Sequence, residues 1–219
     1  LHPAHYVQLS SPDPAHLARA QAELSLADRL LEAMGFGSEA VIVVHVGGGY
    51  GDPAAGRARF VRAYERLPPG VRRRLALEND DRLYGIQDLL WIHRRTGIRL
   101  VLDVLHHRCR NAGETAVEAL AQAVATWPAH EQPKIHFSSP RTELRRLVRQ
   151  GQPQLLLPLP NQHSDFVHPF EFVDFLRTAR AAGVRPFDIM IEAKAKELAV
   201  LRLRDQVGHY APDLAQLLG

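Results

Sequence analysis

The chain is poor in cysteine and in long apolar runs. Cys109 is the single cysteine, so no internal disulfide can form, and one thiol fits a reducing cytoplasm. No apolar run approaches the ~20 residues of a membrane-spanning helix, and no secretory signal pattern is visible. These absences argue against a disulfide-stapled secreted domain and against a membrane protein, so we expect a cytoplasmic protein.

Lysine is also scarce, because arginine supplies 24 of the 27 basic residues. Arginine is the better fork for phosphate. A genome that prefers arginine codons gives the same bias, so a net charge of +3 and a pI of about 9.3 favour nucleic acid only weakly. With 219 residues, 46% of them hydrophobic and 23% charged, the composition is that of a single globular domain over residues 1–219.

Strand-like and helix-like segments alternate along the chain. Apolar runs typical of buried strands lie at 41–46, 74–78, 99–104, 133–137 and 187–192. Helical segments are predicted near 14–34, 54–67, 87–96, 113–126, 140–150, 169–182 and 195–204, with Asp13 as a cap and Gly35 and Gly97 as stops. The stretch 137–187 is too long for one helix, so part of it should be an irregular loop. The alternation predicts an α/β fold with a parallel sheet covered by helices.

Potential metal ligands close the five apolar runs. They are His45 after VIVV, Glu78 after RLAL, Asp103 after RLVL, His136 after KI and Glu192 after DIMI. Parallel strands all point the same way, so these side chains should meet at one carboxyl-end face, where β/α barrels build active sites. Imidazoles and carboxylates that converge there can bind more than one divalent cation.

The number of strands is lower than a closed barrel requires. About five complete strands are visible, and Leu1 would close a sixth, whereas a TIM-type (β/α)8 barrel has eight. The ligand pattern already begins at His2, with no strand before it. We therefore expect a barrel that lacks its N-terminal strands, with an open α/β domain as the alternative.

Asp103-x-x-His106 is the most specific local signal. A buried aspartate needs a partner, which a metal or a structural salt bridge would supply. Lys134 and His136 alternate on one strand and should share a face. A lone histidine at a strand end is more often a core residue. Because the other four strands also end in potential metal ligands, a ligand role is favoured for His136.

The remaining motifs have ordinary alternatives. In Glu78-Asn79-Asp80-Asp81, we expect Glu78 to point inward while an aspartate caps the next turn. The glycines at 47–51 could approach a phosphate, but their spacing matches no common nucleotide-binding motif, and a tight strand-to-helix loop is the alternative. A histidine of the long loop could add a ligand from above the barrel, and spacing leaves His163 and His168 both open.

Taken in chain order, the candidate ligands resemble the pattern of the UV damage endonuclease family. The barrel of that family is related to that of the apurinic-site nuclease endonuclease IV. The matching stretches cover nearly the whole chain: LHPAHY (1–6), VIVVHVGGGYGD (41–52), RLALENDDRLY (74–84), LVLDVLHHRC (100–109), KIHFSSPR (134–141), HSDFV (163–167) and IEAKAKELAVLRL (191–203).

The resemblance implies a xylose isomerase-like, endonuclease IV-like barrel with three divalent metal ions. Manganese is the expected ion, with zinc, cobalt or magnesium as alternatives. The implied ligand sets are His2, His45 and Glu78 for one ion, Glu78, Asp103, His136 and Glu192 for a second, and His106 and His163 for the third. Glu78, His136 and Glu192 would also be catalytic, as would Lys134 beside the metals.

The implied activity is ATP-independent nicking of duplex DNA immediately 5′ of UV photoproducts, with abasic sites as a further candidate substrate. No nucleotide cofactor, no membrane and no second subunit are expected, and the resemblance implies a cytoplasmic enzyme that associates with the nucleoid in a prokaryote. His5 and Tyr6 occupy the place of a Gln-Tyr pair that probes the gap left by a flipped lesion, and the histidine puts hydrogen-bond probing in doubt. Arg108 and Arg141 are the candidates for backbone contacts.

Two other hypotheses compete with this one. A metal-dependent sugar isomerase or epimerase on a related barrel would also use histidines and carboxylates at strand ends, but it would need neither Tyr6 nor a third-metal pair. Duplex binding that weakens steeply with salt would separate the two. Alternatively, the chain is a truncated product that cuts nothing, because an open barrel exposes strand edges and aggregates.

Overall fold

The five expected strands form one parallel sheet with helices on one face. The computed structural model describes residues 1–4 and 6–217. The sheet contains β1 (Ile42–His45), β2 (Leu75–Glu78), β3 (Arg99–Asp103), β4 (Lys134–Phe137) and β7 (Asp188–Ile191), and a separate hairpin contains β5 (Arg145–Arg149) and β6 (Gln152–Leu156). The helices are α1 (Pro14–Ala33), α2 (Pro53–Glu65), α3 (Pro69–Arg74), α4 (Ile86–Thr96), α5 (Val104–Cys109), α6 (Ala116–Val124), α7 (Pro169–Ala181), α8 (Glu197–Tyr210) and α9 (Pro212–Ala215).

The strand order follows the chain. The sheet runs β1-β2-β3-β4-β7, and every neighbouring pair is parallel. The register pairs His45 with Glu78 and Asp103 with His136, so strand ends lie side by side. Sequential parallel order is that of a β/α-barrel wall, in which all carboxyl ends share one rim.

Alternation along each strand decides which side chains face away from the helices. In β2, Leu75 and Leu77 belong to the helix-covered core, whereas Ala76 belongs to a small apolar cluster on the opposite face. Glu78 has the same parity as Ala76 and therefore lies on that opposite face. The same alternation applies to the other four strands, so all five strand-end candidates occupy one face.

Predicted helix ends are confirmed where a cap was visible. Asp13 Oδ1 accepts the Ala15 N–H at 2.9 Å and starts α1. Gly35 follows α1 with a φ of 81° and Gly97 ends α4 with a φ of 70°. These left-handed conformations suit glycine, which lacks a Cβ.

The helix predicted at 140–150 is wrong, because this stretch leads into the β5–β6 hairpin. Gln150 and Gly151, with φ of 51° and 76°, form the two-residue turn. The six-residue helices α3 and α5 were not predicted, since one and a half turns show no periodicity. None of the described helices combines the length and the apolarity needed to cross a membrane.

The described N-terminal residues lie along the open edge of β1. The Leu1 amino group donates to the Val41 carbonyl at 2.8 Å, and the Val43 N–H donates to the Leu1 carbonyl at 2.9 Å. This pairing extends the sheet beyond β1 by one residue. It fits the expectation that Leu1 closes a strand, and it brings His2 to the rim beside His45.

A buried amide clamps two strand ends together. The Asn79 side chain is fully buried, accepts the Asp103 N–H at 2.8 Å and donates to the Asp103 carbonyl at 3.0 Å. Both backbone groups of Asp103 are thereby satisfied by one side chain. The clamp fixes the distance between the Glu78 and Asp103 carboxylates.

We expect Asn79→Ala to lower the free energy of unfolding by about 2–4 kcal/mol, because it leaves two buried backbone groups of Asp103 without a partner. Urea denaturation followed by circular dichroism measures the change. Gln154→Ala, at an exposed amide of β6, is the control and should stay within about 0.5 kcal/mol of the parent. Equal stabilities of the two variants would show that the clamp contributes nothing.

Candidate metal centre

Glu78 is the centre of the site. Its carboxylate is 1% exposed and faces histidines from four different segments. Oε2 lies 3.0 Å from His2 Nε2 and 3.5 Å from His45 Nε2, while Oε1 lies 2.9 Å from His136 Nδ1 and 3.7 Å from His106 Nδ1. One carboxylate thus joins two groups of imidazoles, which is the arrangement expected of a bridging ligand.

Asp103 and Glu192 flank this centre. Asp103 is fully buried, and its Oδ1 accepts the His106 N–H at 2.7 Å, whereas its Oδ2 has no hydrogen-bond partner among the described residues. Glu192 places Oε1 3.3 Å from His136 Nδ1 and Oε2 3.7 Å from His163 Nδ1. Burial of a carboxylate oxygen without a hydrogen-bond partner costs free energy, so Asp103 Oδ2 is a candidate ligand for a cation.

All eight residues of the implied ligand sets reach this cluster. Three groups offer ligand atoms that all lie within 4.8 Å of one another: His2, His45 and Glu78; Glu78, Asp103, His136 and Glu192; and Asp103, His106 and His163. The first two coincide with the expected ligand sets, and the third adds Asp103 to the expected pair. The three groups overlap at Glu78 and Asp103, so ions held there would share ligands.

The charges of the cluster shift the pKa values of its members. Burial alone would raise the pKa of Glu78, but the attraction and hydrogen bond of His136 and the hydrogen bond of His2 hold that pKa below its usual value. Burial disfavours imidazolium at His136, yet Glu78 and Glu192 raise its pKa to about 9. Burial raises the pKa of Asp103, with Glu78 adding to the effect and His106 opposing it. Protons on the histidines thus balance the carboxylates when no cation does.

The donor set fits divalent cations. Imidazole nitrogens and carboxylate oxygens without thiolate suit manganese, zinc, cobalt or magnesium, and they disfavour soft metals. Several histidines are oriented by their second ring nitrogen. His106 Nδ1 lies 3.1 Å from the Asn79 carbonyl, and His163 Nδ1 lies 2.9 Å from the Glu192 carbonyl. Such bonds select the tautomer that leaves Nε2 for a metal.

The two candidate histidines of the long loop lie in different places. His163 joins the cluster, and its ring lies 6.0 Å from that of His106. His168 instead begins α7, where its ring packs 5.8 Å from that of Phe170. The geometry therefore favours His163 as the ligand candidate.

Lys134 lies beside the cluster rather than within it. Its Nζ donates to Asp188 Oδ2 at 2.7 Å, and it lines a cleft of about 720 Å³ together with His2, His136 and Glu192. The ion pair with Asp188 was not visible in the sequence, because the register of β4 against β7 creates it. Lys134 can reach an anion in the cleft only by sharing or leaving Asp188.

The candidate DNA contacts have mixed surroundings. Tyr6 is 64% exposed, whereas His5 lies outside the described residues. Arg108 pairs with Glu171 at 3.1 Å, and Arg141 lies next to the loop through its N–H bond to the Gln162 carbonyl. Tyr6 is thus accessible, whereas Arg108 and Arg141 each lie near a carboxylate, Glu171 and Glu143 respectively.

Sequence reasoning missed two polar groups that shape the site. The Asn79 side chain clamps the ends of β2 and β3 together. The only sequence feature that pointed to it was its position directly after Glu78. Asn161 donates to Asp81 and so ties the long loop to the β2 rim. Asp80, in contrast, behaves as expected: its Oδ1 accepts the N–H groups of Arg82 and Leu83 and caps the turn.

Comparisons with known proteins agree on one family. The family described as UV-endonuclease UvdE matches residues 1–213. A UV DNA damage endonuclease of Bacillus cereus is 32% identical over 94% of this chain and 61% of its own length, and one of Halalkalibacterium halodurans is 31% identical over 95% and 61%. The chain therefore spans about three fifths of the length of these relatives.

Solved structures support the fold. The crystal structure of SacUVDE superposes with a TM-score of 0.79 at 30% identity, over 95% of this chain and 64% of that one. A D-psicose 3-epimerase from Clostridium cellulolyticum H10 gives a TM-score of 0.56 at 13% identity, over 99% and 76%. The second likeness concerns the fold alone. Together they confirm the expected α/β architecture of the TIM-barrel type.

We expect His163→Ala to remove one bound manganese ion per chain, because it takes a ligand from the third group, whereas His168→Ala should leave the metal content unchanged. Elemental analysis by mass spectrometry after dialysis against Mn²⁺ measures the stoichiometry. The opposite result, with loss only in His168→Ala, would move the third site onto α7.

Metal binding should release protons. At about pH 7.5, His136 is protonated without metal, since its pKa is raised to about 9, and coordination requires the neutral ring. Calorimetric titration with Mn²⁺ in two buffers of different ionisation enthalpy should therefore give different heats. Affinity should rise with pH up to about 9. Identical heats in both buffers would contradict the charge balance described for the cluster.

Proposed function

The chain belongs to the UV-endonuclease UvdE family, and on that premise we propose that it is a DNA repair endonuclease that nicks duplex DNA immediately 5′ of UV photoproducts by metal-assisted hydrolysis. The observation that carries the proposal is the convergence of eight histidines and carboxylates into three overlapping groups at one sheet rim. We further propose that the enzyme works as a monomer in the cytoplasm without a nucleotide cofactor.

Three cations would be held by this chain. His2, His45 and Glu78 would hold one, Glu78, Asp103, His136 and Glu192 a second, and Asp103, His106 and His163 the third. The buried Asp103 Oδ2, which has no hydrogen-bond partner among the described residues, supports cation binding. Manganese is our proposal, with zinc, cobalt and magnesium as alternatives. Bound cations of this kind neutralise a phosphodiester, yield hydroxide near neutral pH and stabilise the leaving oxygen.

The chain's own residues would bind and orient the substrate. Lys134 lines the cleft next to His136 and would pair with the phosphate in exchange for Asp188. Tyr6 is exposed, four residues after His2 in the chain, and would stack in the gap that a flipped lesion leaves. We keep His5 as the second probe residue and Arg108 and Arg141 as backbone contacts, with Arg108 first having to leave Glu171.

Selectivity for damage would come from the cost of base flipping. Unstacking costs a few kcal/mol and costs least at a damaged step. Photoproducts and abasic sites both weaken stacking, so both are candidate substrates. A buried cluster at a sheet rim cannot reach a phosphate next to a well-stacked pair as easily, which would spare undamaged duplex.

The test is a nicking assay with Mn²⁺ and the full-length protein. Its substrates are duplexes that carry one thymine dimer, one abasic site or no lesion. We expect a cut 5′ of the dimer, abolished by EDTA and reduced at least ~100-fold in Glu78→Gln, because that change removes a shared ligand. Glu23→Gln, at an exposed glutamate of α1, is the matched control and should cut normally.

The metal content of each variant separates a lost ligand from a lost fold. Glu78→Gln should stay folded by circular dichroism but bind fewer ions. Failure of the parent protein to cut the dimer, with its ions bound, would sink the photoproduct proposal. A cut at the abasic site alone would then move the activity to that substrate, and full activity of Glu78→Gln would refute the metal-centred mechanism.

A further inference from the structure

The β5–β6 hairpin is exposed and carries charge of one sign only. Eight of its ten strand residues are exposed. The stretch 144–160 contains Arg145, Arg146 and Arg149 and no acidic residue. Among the described residues, none of these three arginines forms an ion pair, whereas Arg108 and Arg141 both have a carboxylate within 4.0 Å. Three cations without counter-charge favour an anionic partner.

The two faces of the hairpin differ. Cross-strand pairs share a face, and Arg145 pairs with Leu156 while Arg149 pairs with Gln152. The opposite face carries Val148 and Leu155, which are 70% and 67% exposed. An isolated two-stranded hairpin is marginally stable in water, so a partner that covers it would stabilise it.

The hairpin is rooted at the metal centre. A bridge between Pro140 and His163 closes its base, where the Arg141 N–H donates to the Gln162 carbonyl and the Ser164 N–H to the Ser139 carbonyl. His163 belongs to the third ligand group. A ligand that spans the cluster therefore also lies next to the base of the hairpin, because His163 belongs to both.

The dimensions match duplex DNA. A strand of five residues spans ~17 Å, about half of a ~34 Å helical turn. Arg145 and Arg149 lie on one face, four residues and thus ~13 Å apart, a spacing that suits two phosphates about four 3.4 Å steps apart along one DNA strand. The exposed apolar face has the character of side chains that enter a minor groove.

We infer that the β5–β6 hairpin is a DNA-binding arm, which contacts the duplex backbone beside the lesion through Arg145 and Arg149 on one face and through Arg146, which pairs with Leu155, on the other. The inference rests on the proposed function, since it takes duplex DNA as the ligand. The arm adds affinity that does not depend on damage, whereas the metal centre and Tyr6 act at the lesion. The segment becomes a positioning element for the nicking reaction.

The test compares two triple variants that remove the same charge. Arg145→Gln, Arg146→Gln and Arg149→Gln together remove the arm's cations, and Arg72→Gln, Arg73→Gln and Arg94→Gln together remove exposed cations near the opposite, amino-terminal ends of β2 and β3. Fluorescence anisotropy measures binding of a labelled undamaged duplex over about 50–200 mM KCl. Undamaged DNA keeps binding separate from cleavage.

We expect the arm variant to lose at least ~10-fold in affinity and to reduce the salt slope by ~2.7, at ~0.9 for each lost phosphate contact. The control variant should change the slope by less than ~1. Equal effects of the two variants would overturn the inference, because the arm would then act through net charge alone. The changes are at exposed positions, and circular dichroism verifies that both variants are folded.

Two further readouts separate the alternatives. If the parent nicks the dimer while the arm variant binds like the control, the arm inference fails and the proposed function stands. If the parent does not nick the dimer but the arm variant loses binding, the proposed function fails and the arm inference stands. Self-association of the parent that disappears in Val148→Ser with Leu155→Ser, seen by sedimentation velocity, would make the arm a contact between copies and would also overturn the inference.

Discussion

A carboxylate that is 1% exposed must be compensated by nearby positive charge, and the rest of the site follows from this requirement at Glu78. Two of its histidine neighbours contact one oxygen and two the other. Without metal, the compensation comes from protons, which is why the pKa of His136 is raised to about 9. The same groups would exchange protons for cations with little rearrangement, because the ligand atoms within each of the three groups already lie within 4.8 Å of one another.

The parallel sheet makes this convergence possible at little conformational cost. Register places His45 beside Glu78 and Asp103 beside His136, and parity points them to the face opposite the helices. Ligands on strands are held by the ladder and by the Asn79 clamp. His106 and His163 come from a helix and a loop instead, and each is oriented by a carbonyl. The half of the site that is carried by the strands and the half formed by these two histidines thus meet at Asp103.

Sequence reasoning reached the strands and the metal-ligand candidates because both depend on local pattern. Each apolar run ends in a candidate ligand, and the parallel topology brings these strand ends to one rim. It failed at 140–150, where Leu144, Leu147 and Val148 have the i, i+3, i+4 spacing of a helix and only the turn at Gln150-Gly151 indicates a hairpin. The Lys134–Asp188 pair was beyond reach for another reason. It depends on which residue of β7 stands beside β4, and no local pattern encodes that register.

The metal centre and the arm would attract DNA in different ways. Without metal, protons on the histidines only balance the charge of Glu78, Asp103 and Glu192, so the cleft would attract a phosphodiester only when bound cations outweigh the three carboxylates. The arm carries cations that need no such loading. Binding to duplex would then persist without metal while cleavage would not. This division explains physically why an acidic rim and an arginine-rich hairpin can share one base at Pro140 and His163.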